Sequence, residues 1–101
     1  MKTTTYTITE AKAINANILT IEKLQRTSYL LNVTKQDLSD AQRDGDEEMI
    51  EIEKSEIERI SKSIEVIKSN LTNDDILFSN QHKVYLIDGE GGRDRISIES
   101  I

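Results

Sequence analysis

The chain has 101 residues, a formal net charge of −6, and no cysteine, tryptophan or proline. The lack of cysteine excludes disulfide bonds, thiolate nucleophiles and sulfur-ligated zinc sites. A chain of this length is expected to form one domain, residues 1–101, that buries only about two-thirds of its unfolded surface, so oligomerisation would add stability. No apolar run approaches the roughly 18 residues of a membrane span, and we expect a cytoplasmic protein.

The first elements are predicted to be a strand and a long helix. Residues 3–8 are rich in β-branched side chains in alternation, which favours a short strand. Thr7 followed three residues later by Glu10 has the pattern of a capping box, which marks a helix start. Apolar residues then recur at helical spacing, so we predict the first long helix over residues 9–31.

The pattern changes in the middle of the chain. Asn32 and Val33 interrupt the apolar spacing, and Thr34 with Asp37 can cap a new helix, so we predict a short helix over residues 35–43. A second long helix is predicted over residues 46–70, after a glycine. Two long helices of matched length indicate an antiparallel helical hairpin.

The second long helix carries an apolar seam of the coiled-coil type. Its members recur at spacings of 3, 4, 3 and 4 residues, as in a heptad pattern. Isoleucine at both seam positions favours a bundle of more than two helices, which two copies of a hairpin would form. We therefore expect a homo-oligomer. The seam residues are Ile57, Ile60, Ile64, Ile67 and Leu71.

The C-terminal region is predicted to be a β-hairpin over residues 83–99, because two alternating segments flank a glycine-rich turn. Since two strands alone are marginally stable, a third is expected from either the N-terminal strand or residues 76–79. The predicted fold class is α+β, mainly α, with an N-terminal strand, a long antiparallel helical hairpin and a C-terminal β-hairpin.

The segment 37–58 is strongly acidic, with ten acidic residues against Arg43 and Lys54. Such a segment would repel nucleic acid. One interpretation is a solvated helix face, and the other is a surface that binds a basic site on another protein. The candidate partner-binding residues are Asp44, Asp46, Glu47, Glu48 and Glu51.

Residues 40–51 partly resemble the calcium-binding loop of the EF-hand family. Gln42 and Glu47 depart from that pattern, and no second loop is present, whereas EF-hands are normally paired. A solvated connection between helices is the alternative interpretation. The resemblance implies oxygen ligands and a tight bend at Asp40, Asp44, Gly45 and Glu51.

A second candidate binding segment is the glycine-rich turn at residues 89–95. Its arginines could face a phosphate, although phosphate loops usually lead from a strand into a helix, and this turn lies between two strands. A flexible hairpin turn is the alternative interpretation. The candidate ligand-binding residues are Gly91, Gly92, Arg93 and Arg95.

The sequence offers little for catalysis. His82 is the only histidine, predicted to lie in a surface loop, and no serine lies in a nucleophile-elbow pattern. We therefore expect a non-enzymatic, acidic, oligomeric protein, without a cofactor or metal, that binds another protein through a helical face or its acidic end. Small, acidic chains without proline or cysteine are common among the inhibitors of host systems that viruses or mobile elements encode. The alternative is capture of a nucleotide or phosphate at residues 89–95.

Overall fold

Over residues 3–89 and 94–101, the computed structural model describes four helices and three strands. Two long helices pack against each other, and the strands form one sheet. The predicted fold class is confirmed. In chain order the elements are β1 (Thr3–Thr7), α1 (Ile8–Ile14), α2 (Ile18–Asp44), α3 (Glu47–Ser69), α4 (Asn73–Gln81), β2 (His82–Ile87) and β3 (Arg95–Ser100).

The hairpin between α2 and α3 turns within two residues. Gly45 adopts the left-handed conformation at φ 71°, which glycine reaches without steric cost. Its N–H donates to the Gln42 carbonyl at 3.3 Å, and the Asp46 N–H donates to the Ala41 carbonyl at 3.1 Å, as in a Schellman motif. Asp46 then caps α3 by accepting a hydrogen bond from the Met49 N–H at 3.2 Å.

The predicted end of the first long helix at residue 31 and the separate short helix over 35–43 are wrong. Helix α2 continues to residue 44. Thr34 does not cap a new helix, because its hydroxyl donates to the Leu30 carbonyl at 2.9 Å within the same helix. Thr34 and Ala41 are both buried, so the covered side of α2 extends past the predicted break.

The true interruption lies earlier, between α1 and α2. Helix α1 has the predicted capping box, in which Glu10 N–H donates to the Thr7 hydroxyl and Thr7 N–H donates to the Glu10 carboxylate. It ends at residue 14, so the predicted single helix over 9–31 is wrong. The Asn15 side chain accepts a hydrogen bond from the Asn17 N–H at 2.8 Å, a local bond that competes with helix continuation.

The three strands form an antiparallel sheet in the order β1-β3-β2. The N-terminal strand is therefore the third strand, as one of the two predicted alternatives proposed. Residues 76–79 instead lie in α4, which begins with a capping box formed by Thr72 and Asp75. Val84 and Ile98 are opposite each other in the register, and both are buried against the helices.

Among the residues that the structure describes, two apolar clusters form the core. The first lies between the sheet, α1 and the start of α2, and its buried members are Ala11, Ile18, Ile21, Val84, Ile96 and Ile98. The second lies between α2 and α3, and its buried members are Leu24, Ile60, Ile64 and Ile67. Leu71 packs against both clusters, so the sheet covers the open end of the hairpin. In the described part of the chain, no helix has the length and apolar character that a membrane crossing requires.

Candidate functional site

A groove of about 560 Å³ lies between α2 and α3, in the half of the hairpin nearest the sheet. Its floor is apolar and includes the buried side chains of Ile60 and Ile67. Leu30 and Val66 flank the floor and are 47% and 63% exposed. We call this concavity the hairpin groove; Lys23, Thr27, Leu30, Arg59, Ile60, Lys62, Ser63, Val66 and Ile67 line it.

The rim of the hairpin groove is basic. Arg59 donates to the Glu56 carboxylate at 2.6 Å, and this pairing raises the pKa of Arg59 and lowers that of Glu56. Lys62 pairs with Glu58 at 3.2 Å. Lys23 has no ion-pair partner among the described residues. Exposed ion pairs of this kind contribute little to stability, so these cations remain accessible to a binding partner.

The predicted acidic surface lies at the other end of the hairpin, and its five residues are exposed. Asp44 is the last residue of α2 and lies 3.7 Å from the Arg43 guanidinium. Asp46 caps α3, and Glu47 and Glu48 occupy the first turn, where the helix dipole favours negative charge. Part of the acidic character of this end therefore stabilises α3 itself.

The predicted seam is placed inside the chain. Ile60, Ile64 and Ile67 are buried against Leu24 of α2, while Ile57 and Leu71 are half-buried. The seam is therefore covered by α2 of the same chain, whereas the side of the hairpin that holds the groove is open to a second molecule.

The resemblance to a calcium-binding loop does not correspond to a loop in the structure. Residues 40–44 belong to α2, and residues 47–51 belong to α3. Carboxylates held on two helices cannot wrap around one ion as those of a twelve-residue loop do. Within residues 3–89 and 94–101, no three His, Asp or Glu side chains converge on a position that could hold a metal ion.

The structure describes only part of the predicted phosphate-binding turn. Gly91, Gly92 and Arg93 lie outside the described residues. Arg95 is exposed at the start of β3, opposite Thr7 and Ile87 in the register. Capping hydrogen bonds with Thr7 lower the pKa of Glu10, and the positive charge of Arg95 lowers it further.

The prediction that His82 lies in a surface loop is wrong, because His82 is the half-buried first residue of β2. Its ring stacks on Phe78, with centroids 4.1 Å apart, and its Nδ1 lies 3.0 Å from the Phe78 carbonyl. Gln25 of α2 completes this junction: its amide N–H donates to the carbonyls of Ser79 and His82, and its oxygen accepts from the Val84 N–H at 2.8 Å. The ring therefore joins α4 to β2.

A second polar junction, missed in the sequence, is centred on Asp75, which is only 7% exposed. Its carboxylate accepts hydrogen bonds from the Thr72 N–H at 3.0 Å, the Asn17 amide at 2.8 Å and the Asn15 amide at 3.0 Å. These three donors, with Thr72 first, lower the pKa of Asp75 from 3.8 to about 2. The junction ties the break between α1 and α2 to the start of α4.

The low pKa of Asp75 makes part of the stability dependent on pH. Because the folded state holds the charged form, the stabilisation is complete above pH ~4 and is lost as the pH falls towards 2. We predict that Asp75→Asn lowers the urea midpoint at pH 7 and that its difference from the wild type shrinks between pH ~4 and ~2. Asp74→Asn, at an exposed neighbour, is the matched control; a difference of constant size across this range would contradict the assignment.

No family model matches the chain, and neither a curated protein nor a solved structure is significantly similar to it.

Proposed function

We propose that this protein is a non-enzymatic protein-binding module whose contact surface is the open side of the helical hairpin. The observation that supports the proposal is the hairpin groove, an apolar depression whose rim carries cations. A contiguous patch of exposed apolar surface with a rim of polar groups is typical of a protein-binding site. Two helices pack only along one line, so the groove between them stays open on this side of the hairpin.

Two clusters of polar side chains among the described residues hold the fold together, and this structural role supports a binding function for the protein. The ring of His82 and the amide of Gln25 hold β2 and α4 together, and Asp75 holds α4 to the preceding helices. The residues that line the hairpin groove are instead aliphatic, hydroxyl and cationic side chains. Such a lining suits an apolar contact with acidic neighbours on the partner.

A photo-cross-linking experiment with a matched control tests this proposal. A benzophenone amino acid at Leu30, inside the hairpin groove, is expected to give one adduct of defined mass in the source cell. The same group at Tyr29, which is 71% exposed and does not line the groove, is expected to give none. Equal adducts at both positions, or no adduct at position 30, would contradict the proposal.

A further inference from the structure

The open side of the hairpin changes its charge along its length. On α2, residues seven apart lie on one stripe, and this stripe runs from Lys23 and Leu30 to Asp37 and Asp44. The first two line the hairpin groove, so the other two lie on the same side of the hairpin further from the sheet. The stripe is therefore basic near the sheet and acidic near the hairpin turn.

The facing stripes on α3 show the same change of charge. Val66 and Arg59 line the hairpin groove, and Ile52 lies seven residues before Arg59 on the same stripe. Lys62 also lines the groove, and Glu48 lies fourteen residues before it. Both helices thus place cations in the half near the sheet and carboxylates in the half near the turn.

Exposed apolar side chains lie between these charges. Leu30 and Val66 flank the basic half, and Ile52, 47% exposed, lies towards the acidic half. The sheet does not cover this side, because it contacts α2 through residues such as Ile21. Nine residues separate Ile21 from Leu30, which is about 180° around a helix of 3.6 residues per turn.

We infer, on the basis of the proposed function, that the partner of the hairpin groove is a second copy of this chain, packed face to face with its hairpin reversed. The reversal sets the basic half of each copy against the acidic half of the other. Lys23 and Asp44 are equally far from the middle of their stripe, so each Lys23 meets the Asp44 of the other copy. Such a self-complementary contact is isologous and closes as a dimer with a two-fold axis.

The available area matches a dimer of this kind. Helices α2 and α3 have 27 and 23 residues. At 1.5 Å per residue and about 10 Å per helix diameter, their open side measures about 750 Å². A stable interface of standard size buries about 800 Å² on each partner. The four helices of the two copies would then form an antiparallel bundle.

Charge reversal tests both the dimer and its orientation. For the wild type, light scattering at micromolar concentration is expected to give twice the chain mass of 11.5 kDa. Lys23→Glu and Asp44→Lys are each expected to weaken the dimer by about tenfold or more, since each places like charges together. Because both copies carry both changes, the double variant restores opposite charges and is expected to recover the wild-type affinity.

Lys54→Glu is the matched control, because it adds a negative charge to the acidic segment at a position off the stripes described above. It is expected to leave the mass unchanged, and circular dichroism checks that each variant is folded. A monomer up to ~200 µM would overturn the inference, as would a dimer that the two single changes do not weaken. If the chain is monomeric but position 30 cross-links to another protein, the inference fails and the proposed function stands.

Discussion

Replacement of Ile60 by alanine is expected to lower the free energy of unfolding by about 3–4 kcal/mol. Ile60 is 2% exposed and belongs to the cluster that joins α2 to α3. Removal of its outer carbons leaves a cavity beside Ile64 and Ile67, and these rigid β-branched neighbours fill it poorly. Domains of this size are stable by about 5–15 kcal/mol, so the loss is a large fraction of the total. Urea unfolding followed by circular dichroism at pH 7 measures it.

The matched control for Ile60 is Leu77→Ala. Leu77 is 55% exposed on α4, so its truncation removes little buried surface and is expected to change stability by less than about 0.5 kcal/mol. Ile57 is half-buried and should give an intermediate loss. If Ile60→Ala were no more costly than Leu77→Ala, the seam would not be the contact that holds the hairpin together.

The seam was predictable because it depends on one helix alone. A heptad pattern of isoleucines on α3 shows which side of that helix is buried, whatever covers it. The capping box at Thr7 and Glu10 was predictable for the same reason, since both partners lie within four residues of each other. Local patterns of this kind therefore predict the hairpin and the start of the first helix from the sequence alone.

The errors in the predicted helix boundaries arose where a polar side chain can form either of two hydrogen bonds. Thr34 can cap a helix or bond to the carbonyl four residues earlier, and burial of the α2 face in the hairpin selects the second use. Asn15 and Asn17 end one helix and begin another because Asp75, distant in the sequence, accepts their amide hydrogens. The helix start at Thr72 and Asp75 follows the capping-box pattern and was detectable from the sequence.

The groove could not have been predicted in the same way. The acidic half of the hairpin is visible as an excess of carboxylates in one segment. Lys23, Arg59 and Lys62 come from two distant segments that also contain acidic residues, so no run of positive charge marks them. Only the packing of α3 against α2 brings them to one rim.

Gln25→Leu is expected to lower the free energy of unfolding by about 2–4 kcal/mol, although the side chain keeps its size. The amide of Gln25 donates to the His82 carbonyl at 2.8 Å and accepts from the Val84 N–H at 2.8 Å. Val84 is buried, so leucine leaves this N–H without a partner and away from water. Gln42→Leu, at an exposed position of the same helix, is expected to change stability by less than about 0.5 kcal/mol.

Hydrogen exchange distinguishes the loss of these bonds from a general loss of packing. Strand β2 lies at an edge of the sheet, and its Val84 N–H is not held by another strand but by Gln25. In Gln25→Leu this amide should exchange faster by more than the global destabilisation accounts for, while the Ile98 amide on the central strand should follow the global change. Equal acceleration at both amides would mean that Gln25 acts through packing alone. A selective change at Val84 would show that one glutamine closes an edge on which another strand could otherwise pair.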